Sequence, residues 1–162
     1  MRNIISAFMV ISIFLVIPGY AAEPSIVQSL RDDSNSHTAS VHDFNTMPIN
    51  QLTDRIGMRF FTSQNFTVIQ WTLKKGAKLP IHSHLNEQLI RVDSGRLDVD
   101  SEGKIYHLDA GQMMVFPAYV THGFIAMADT VMYEQQTPIR QDFLEPDFIQ
   151  KLSDFLAKNQ LS

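Results

Sequence analysis

Three histidines and one glutamine have the residue types and the spacing of a metal site. His82 and His84 lie two residues apart in a segment with strand character. Alternation along a strand puts both imidazoles on one face. Gln88 has the same parity if the chain bends just before it and pairs again, and His122, at the head of a later run, offers a fourth donor. Taken alone, the His-x-His pair fits a surface strand as well as it fits two metal ligands.

Glycines and a proline at fixed distances make the pattern specific. From Gly76 to Gly95 the chain reads G-x5-H-x-H-x3-Q-x6-G, and from Gly111 to His122 it reads G-x5-P-x4-H. This spacing resembles the two signature motifs of the cupin superfamily, G-x5-H-x-H-x3-E-x6-G and G-x5-P-x-G-x2-H-x3-N. The resemblance implies a small double-stranded β-helix barrel, covering roughly residues 50–140, with one metal ion held inside.

The resemblance also implies the ligand set, in which His82, His84, Gln88 and His122 hold one divalent ion, with Zn, Ni, Mn and Fe all open as its identity. Gln88 replaces the glutamate of the first motif, and an amide oxygen is still a hard donor. Three imidazoles and an amide are all neutral, so the ion keeps its full positive charge, which favours Lewis-acid chemistry on an anionic substrate over redox chemistry. Tyr119 and Ala126 replace the second glycine and the final asparagine of the second motif.

A narrower resemblance rests on two stretches, H-S-H-L-N-E-Q from His82 to Gln88 and T-P-I-R-Q-D-F from Thr137 to Phe143. Both are similar to the small cupins that linearise 4,5-unsaturated monouronates in pectin and alginate breakdown. By that likeness Arg140 would clamp the substrate carboxylate bidentately. Glu134 falls where that family has a catalytic aspartate, and Gln136 falls where it has phenylalanine.

The roles of these last residues have structural alternatives. Met132, Glu134 and Gln136 share one face of the last predicted strand, and polar groups inside a small barrel need partners. Glu134 as a general acid/base is one interpretation; an ion-pair partner of Arg140, or an outward-facing residue in a shifted register, is the other. Arg140 fits a solvated surface charge as well as an anion clamp.

Short alternating runs separated by Gly, Pro, Asp and Asn predict the strands that position these residues. Turn sequences at Lys75-Gly76, Ser94-Gly95, Glu102-Gly103 and Ala110-Gly111 suit tight reversals. Many short strands without intervening helices predict an all-β barrel or sandwich. The predicted strands are 59–62, 66–73, 79–84, 88–93, 96–100, 105–108, 113–116, 122–127 and 131–136.

The end of the chain has a different periodicity. Apolar residues from Phe148 to Leu156 form one helical stripe, with Pro146 and Asp147 in the first turn. We expect a C-terminal α-helix that packs on the outside of the barrel and has no catalytic role. The predicted organisation is a lead-in at 23–49, a cupin barrel at 50–144 and this helix within 145–162.

Residues 1–22 have the features of a secretory signal peptide. Arg2 precedes an apolar run, and small residues follow around Ala21 and Ala22. The apolar core of about 14 residues is shorter than the roughly 20 that span a bilayer. The sequence therefore predicts export with cleavage after residue 21 or 22, and a periplasmic or secreted protein without a membrane anchor.

Charge and composition restrict the partners. All 17 acidic residues but only 12 of the 13 basic ones follow the signal, which leaves a mature charge of −5 and argues against nucleic acid. The chain has no cysteine, so a metal site must use His, carboxylate or amide groups. We expect a small anionic substrate, and a homodimer is a further expectation because small cupins often pair through an edge strand.

Three function classes follow from these residues. The leading prediction is a non-redox, metal-dependent lyase, isomerase or hydratase acting on a small carboxylate-bearing sugar such as an unsaturated uronate. An oxygen-dependent dioxygenase is the enzymatic alternative. A periplasmic binding or sensing cupin, which leaves its ligand unchanged, is the non-enzymatic one.

Overall fold

A computed structural model describes residues 39–159 of the chain. The predicted signal peptide and the lead-in up to residue 38 lie outside the described residues, as do residues 160–162. Residues 39–49 contain one turn, at 44–46, and no strand or helix before the first strand begins. Within residues 39–159, no helix has the length and apolarity needed to cross a membrane.

The described residues form ten strands followed by two short helical segments. The strands are β1 (Asn50–Gln51), β2 (Ile56–Thr62), β3 (Thr67–Leu73), β4 (Lys78–His82), β5 (Glu87–Ser94), β6 (Arg96–Ser101), β7 (Lys104–Asp109), β8 (Met113–Phe116), β9 (His122–Ala126) and β10 (Thr130–Thr137). A 3₁₀-helix, Gln141–Leu144, leads into α1, Phe148–Asn159.

Two antiparallel sheets enclose the core of the barrel. One sheet has the strand order β1-β2-β3-β10-β5-β8 and the other has β4-β9-β6-β7. Side chains alternate along each strand, as in β5, where buried Ile90 and Val92 alternate with exposed neighbours. Leu97, Val99 and Phe124 of the smaller sheet complete the core from the other side. The predicted all-β jelly-roll barrel with a C-terminal helix is confirmed.

Each predicted strand is present within a few residues of its predicted bounds. The difference at the end of β4 affects the position of His84. The prediction ran to residue 84, but β4 ends at His82. His84 therefore lies in the loop between β4 and β5, where the chain bends before Glu87. The short β1 and the 3₁₀-helix carry too little periodicity to be recognised in the sequence.

The predicted glycine turns have the backbone conformation expected of them. Gly76, Gly95, Gly103 and Gly111 all have positive φ. Gly95 is the most constrained, because a Cβ added there would lie 2.3 Å from the carbonyl oxygen of Asp129. Its position allows β5 to turn directly into β6 beneath the start of β10.

Helix α1 packs against β4. Phe148 and Leu156 are buried, whereas Phe155, on the same predicted stripe, is 46% exposed. Ser153 donates a hydrogen bond of 2.6 Å from its Oγ to the carbonyl oxygen of Leu52. Apolar contacts and one hydrogen bond thus hold the helix on the barrel, while part of its apolar face lines a pocket.

Candidate metal centre and substrate pocket

Strand pairing and one loop bring the three predicted histidines together. His82 ends β4 and pairs in register with His122, which begins β9. His84 follows two residues after His82 in the loop. The nearest ring nitrogens of His82, His84 and His122 all lie within 4.8 Å of one another, as a shared ion requires.

Backbone carbonyls fix the tautomer of all three rings. Nδ1 of His82 lies 2.8 Å from the Pro80 oxygen, and Nδ1 of His122 lies 2.9 Å from the Val120 oxygen. Nδ1 of His84 lies 3.0 Å from the oxygen of Asn86, two residues further on. A carbonyl oxygen only accepts, so each Nδ1 carries the proton and each Nε2 presents a lone pair. This is the usual way in which proteins orient a metal-binding histidine.

The remaining contacts of these lone pairs fit a cation. Nε2 of His84 lies 2.8 Å from Oε1 of Gln88, so two lone-pair atoms face each other. Nε2 of His122 is buried and has no hydrogen-bond partner in the described part of the chain. A divalent ion would accept the lone pairs of His84 Nε2 and Gln88 Oε1, which otherwise repel each other. It would also accept the lone pair of His122 Nε2, which otherwise has no partner. The donor set therefore fits the predicted metal.

Burial keeps the imidazoles neutral. It lowers the pKa of His82 and of His84, and it lowers that of His122 to about 4. Backbone hydrogen bonds and, for His84, the nearby oxygen of Gln88 raise the pKa and oppose this effect without reversing it. The three rings therefore do not need to lose a proton at neutral pH before they coordinate an ion.

Gln136, which the sequence marked only as a departure from the uronate-cupin pattern, lies at the centre of a buried polar network. It pairs with Gln88 across β10 and β5, and its Nε2 donates to Gln88 Oε1 at 2.9 Å. The same Nε2 donates to Oε1 of Glu134. Arg140 Nη1 donates to Gln136 Oε1 at 3.3 Å. One amide thus contacts a metal ligand and both predicted substrate-binding groups.

Glu134 is a buried carboxyl group beside the pocket. Its Oε2 accepts a hydrogen bond of 2.9 Å from Nε1 of Trp71. Burial raises the pKa of Glu134 to about 7, although the hydrogen bonds from Trp71 and Gln136 and the positive charge of Arg140 act in the opposite direction. A carboxyl group that titrates near neutral pH suits a general acid/base.

Arg140 pairs with Asp142 rather than with Glu134. Its Nε donates to Asp142 Oδ1 at 2.8 Å, and its Nη2 donates to Asp142 Oδ2. This bidentate pair occupies one edge of the guanidinium. With Nη1 also donating to Gln136, one N–H on each Nη remains for a ligand. Asn86 fixes the segment before Arg140, because its buried amide donates to the carbonyl oxygens of Pro138 and Ile139.

A pocket of about 320 Å³ lies between the mouth of the barrel and helix α1. His82, Glu134 and Arg140 line its barrel side. Apolar residues of α1, including Leu152 and Phe155, line the opposite side, together with Lys151. The helix that we expected only to cover the barrel is therefore also a wall of this pocket.

Tyr119 supports the loop of His84 from a strained position. It occupies the place of the second motif glycine and has φ of +67°. Its amide N–H donates to the carbonyl oxygen of His84 at 2.8 Å. The side chain of Tyr119 is 73% exposed. Its backbone has the left-handed conformation although the residue is not glycine.

The structure adds Trp71, Asn86 and Asp142 to the residues predicted from the sequence. Asn86 and Asp142 belong to the two stretches that resemble the uronate cupins, so a signal for them was present. Trp71 lies 63 positions from Glu134, and no local pattern connects the two residues.

Comparison with known proteins agrees with the barrel and its metal centre. Residues 69–133 match the model of the cupin domain. This part of the chain is a cupin domain. The matched segment contains all four predicted metal ligands, His82, His84 and Gln88 from the first motif and His122 from the second.

Solved structures show the same cupin fold. KdgF from a Halomonas species is 22% identical with a TM-score of 0.62, over 65% of this chain and 98% of that one. An RmlC-like cupin from Shewanella frigidimarina is 21% identical with a TM-score of 0.61, over 65% and 96%. One from Desulfovibrio desulfuricans is 27% identical with a TM-score of 0.54, over 64% and 100%. No curated protein matches the chain significantly.

Proposed function

We propose that this cupin is an exported, metal-dependent enzyme of the non-redox type, a lyase, isomerase or hydratase. Its substrate is a small carboxylate-bearing sugar such as a 4,5-unsaturated uronate. The observation that carries the proposal is the composition of one pocket, which is lined by the proposed metal ligand His82, by Glu134 and by Arg140.

The positions of these groups suggest a division of roles. The free N–H groups of Arg140 bind the substrate carboxylate from the barrel side. Glu134, whose two oxygens are held by Trp71 and Gln136, gives or takes a proton at the substrate from a fixed position. A divalent ion on the three histidines and Gln88 would act as a Lewis acid on a carboxylate or hydroxyl oxygen.

The pocket walls and the ligand charge support a sugar acid. Aromatic and aliphatic side chains such as Phe124 and Phe143 line the pocket and suit the less polar faces of a sugar ring. Three neutral imidazoles and the neutral Gln88 leave a dication uncompensated by the protein, which favours an anionic substrate. Gln136 stands where the uronate cupins have phenylalanine, so the identity of the uronate is not carried over from those proteins.

Turnover under anaerobic conditions tests the proposal. Loss of the 4,5-unsaturated uronate chromophore is followed with metal-loaded protein. Glu134→Gln keeps the size of the side chain but removes proton transfer, so kcat should fall by about 10²- to 10⁴-fold. Arg140→Ala should mainly raise KM, because it removes a charge-assisted hydrogen bond to the substrate carboxylate. Asp154→Asn on the exposed side of α1 is the matched control.

Three results would contradict the proposal in different ways. Turnover that requires O₂, with O₂ consumed, would establish a dioxygenase instead. Tight uronate binding without conversion would establish a binding or sensing cupin. Equal loss of kcat and unchanged KM in both variants would refute the separate roles of Glu134 and Arg140.

A further inference from the structure

The orientation of one amide decides whether Gln88 can bind a cation. A glutamine side chain presents an oxygen with lone pairs on one side and an NH₂ group on the other. Only the oxygen is a metal ligand. Beside the Nε2 lone pair of His84, a glutamine left to itself would turn its NH₂ group toward the ring and form a hydrogen bond.

Within the described residues, Gln136 alone holds the Gln88 amide in the ligand orientation. Gln88 Nε2 is buried and has no hydrogen-bond partner there. Gln88 Oε1 accepts from Gln136 Nε2 at 2.9 Å, and the same Nε2 lies 3.5 Å from His84 Nε2. If Gln88 turned over, two NH₂ groups would face each other.

Gln136 is itself held by a group that can only donate. Arg140 has no acceptor, so the atom of Gln136 that lies 3.3 Å from its Nη1 must be Oε1. Nε2 of Gln136 then necessarily faces Glu134 and Gln88. The orientation of the metal ligand therefore follows from the positions of Arg140 and Gln136.

We propose that Gln136 is a positioning residue that forces Gln88 to present its oxygen, and not its NH₂ group, to the metal ion. The inference rests on the metal centre of the proposed function and goes beyond it. It also gives a physical role to the glutamine that replaces the phenylalanine of the uronate cupins.

Charge and orientation predict opposite effects for one substitution. Gln136→Glu adds a negative charge close to the metal centre, and attraction alone would tighten cation binding. A carboxylate at this position only accepts, however, so it would draw the NH₂ group of Gln88 toward itself and turn that group toward the ion. The orientation argument therefore predicts weaker binding in spite of the added charge.

The experiment measures the Kd of Co²⁺ by competition with a chelating indicator, and the visible absorption of bound Co²⁺ reports the ligand set. Gln136→Met, which has similar volume and no hydrogen-bonding group at its end, should weaken binding about 10- to 100-fold, as should Gln136→Glu. Gln135→Met, on the exposed face of the same strand, should leave the Kd within twofold. Circular dichroism and the Tm of the metal-free proteins confirm folding.

A double substitution isolates the orientation effect. Gln88→Glu offers an oxygen on both sides, so in that background Gln136→Met should change the Co²⁺ Kd by less than threefold. An unchanged Kd and spectrum in both Gln136 single variants would overturn the inference while leaving the metal centre intact. Tighter binding by Gln136→Glu would overturn it as well. Failure of the wild-type protein to bind Co²⁺ would overturn the proposed function and this inference together.

Discussion

At the scale of single residues, Gln88 changes the charge of the cupin metal site without changing its shape. It lies at the glutamate position of the first motif and is fully buried beside His84. Three neutral imidazoles and a neutral amide would leave the charge of a bound divalent ion unbalanced by the protein. Which residues bind the ion and how much charge they carry are separate properties of the site, and different substitutions test each of them.

We predict that His82→Ala and His122→Ala each lower the metal content of the purified protein strongly, because few donors share the ion. Gln88→Glu should bind at least as tightly as the wild type, since it adds a charge that faces the cation. Elemental analysis of protein purified without a chelating resin gives the metal per chain. Equal metal content in both alanine variants and the wild type would refute the ligand assignment.

Glu134 gives the metal-free protein a pH-dependent stability. Its pKa is about 7 in the folded protein and near 4.5 in the unfolded chain, so the folded state binds the proton more tightly. Its stabilising contribution is therefore complete below about pH 4.5 and is lost as pH rises through 7. Arg140, Trp71 and Gln136 face the carboxyl group and moderate the loss.

We predict that Glu134→Gln gains stability relative to the wild type as pH rises from 4.5 to 7, by roughly 3 kcal/mol in total. Urea unfolding of both proteins in the presence of a chelator measures this difference. The histidines titrate in the same range with the opposite sign, but they do so in both proteins, so the comparison removes their contribution. A difference that does not vary with pH would contradict the raised pKa.

At the scale of elements, the loop between β8 and β9 holds the metal-binding loop in place. Tyr119 donates to the His84 carbonyl oxygen from a left-handed conformation that costs a non-glycine residue about 1–2 kcal/mol. The second cupin motif places a glycine here for that reason. The exposed tyrosine side chain therefore retains this conformation at a cost in stability.

We predict that Tyr119→Gly stabilises the protein by about 1 kcal/mol and raises the Tm by about 4 °C, because glycine adopts positive φ without strain. Tyr119→Ala is the matched control, since it removes the ring but keeps the Cβ that causes the strain. Thermal unfolding of the wild type and the two variants measures the change in Tm. Equal stabilisation by both substitutions would attribute the effect to the ring instead.

At the scale of the whole molecule, the predicted export determines where the metal is acquired and which substrates are encountered. The prediction of export rests on Arg2 and the apolar run that follows it. The chain has no cysteine, so an exported form would have to fold without disulfides. We expect protein recovered from the periplasm or the medium to begin at Ala22 or Glu23, as N-terminal sequencing would show. A protein that still begins at Met1 and stays in the membrane would contradict export.

The sequence by itself determined the barrel and its histidines. Period-two alternation and glycine turns are local properties, so β5 and the turn at Gly95 follow directly from their own residues. Motif spacing placed His82, His84 and His122 in one site through the resemblance to the cupin motifs, since the pairing of His82 with His122 is not local. The strand prediction ran two residues past the end of β4 and began three residues after the start of β2.

Only the tertiary structure decided what surrounds the metal centre. The hydrogen bond from Trp71 to Glu134 joins residues 63 positions apart, and that from Gln136 to Gln88 joins residues 48 apart. Such contacts depend on which strands become neighbours and in which register, because β10 pairs with both β3 and β5. The placement of α1 against the pocket depends equally on long-range packing. A buried polar network is satisfied only when distant groups converge, and no local pattern encodes that convergence.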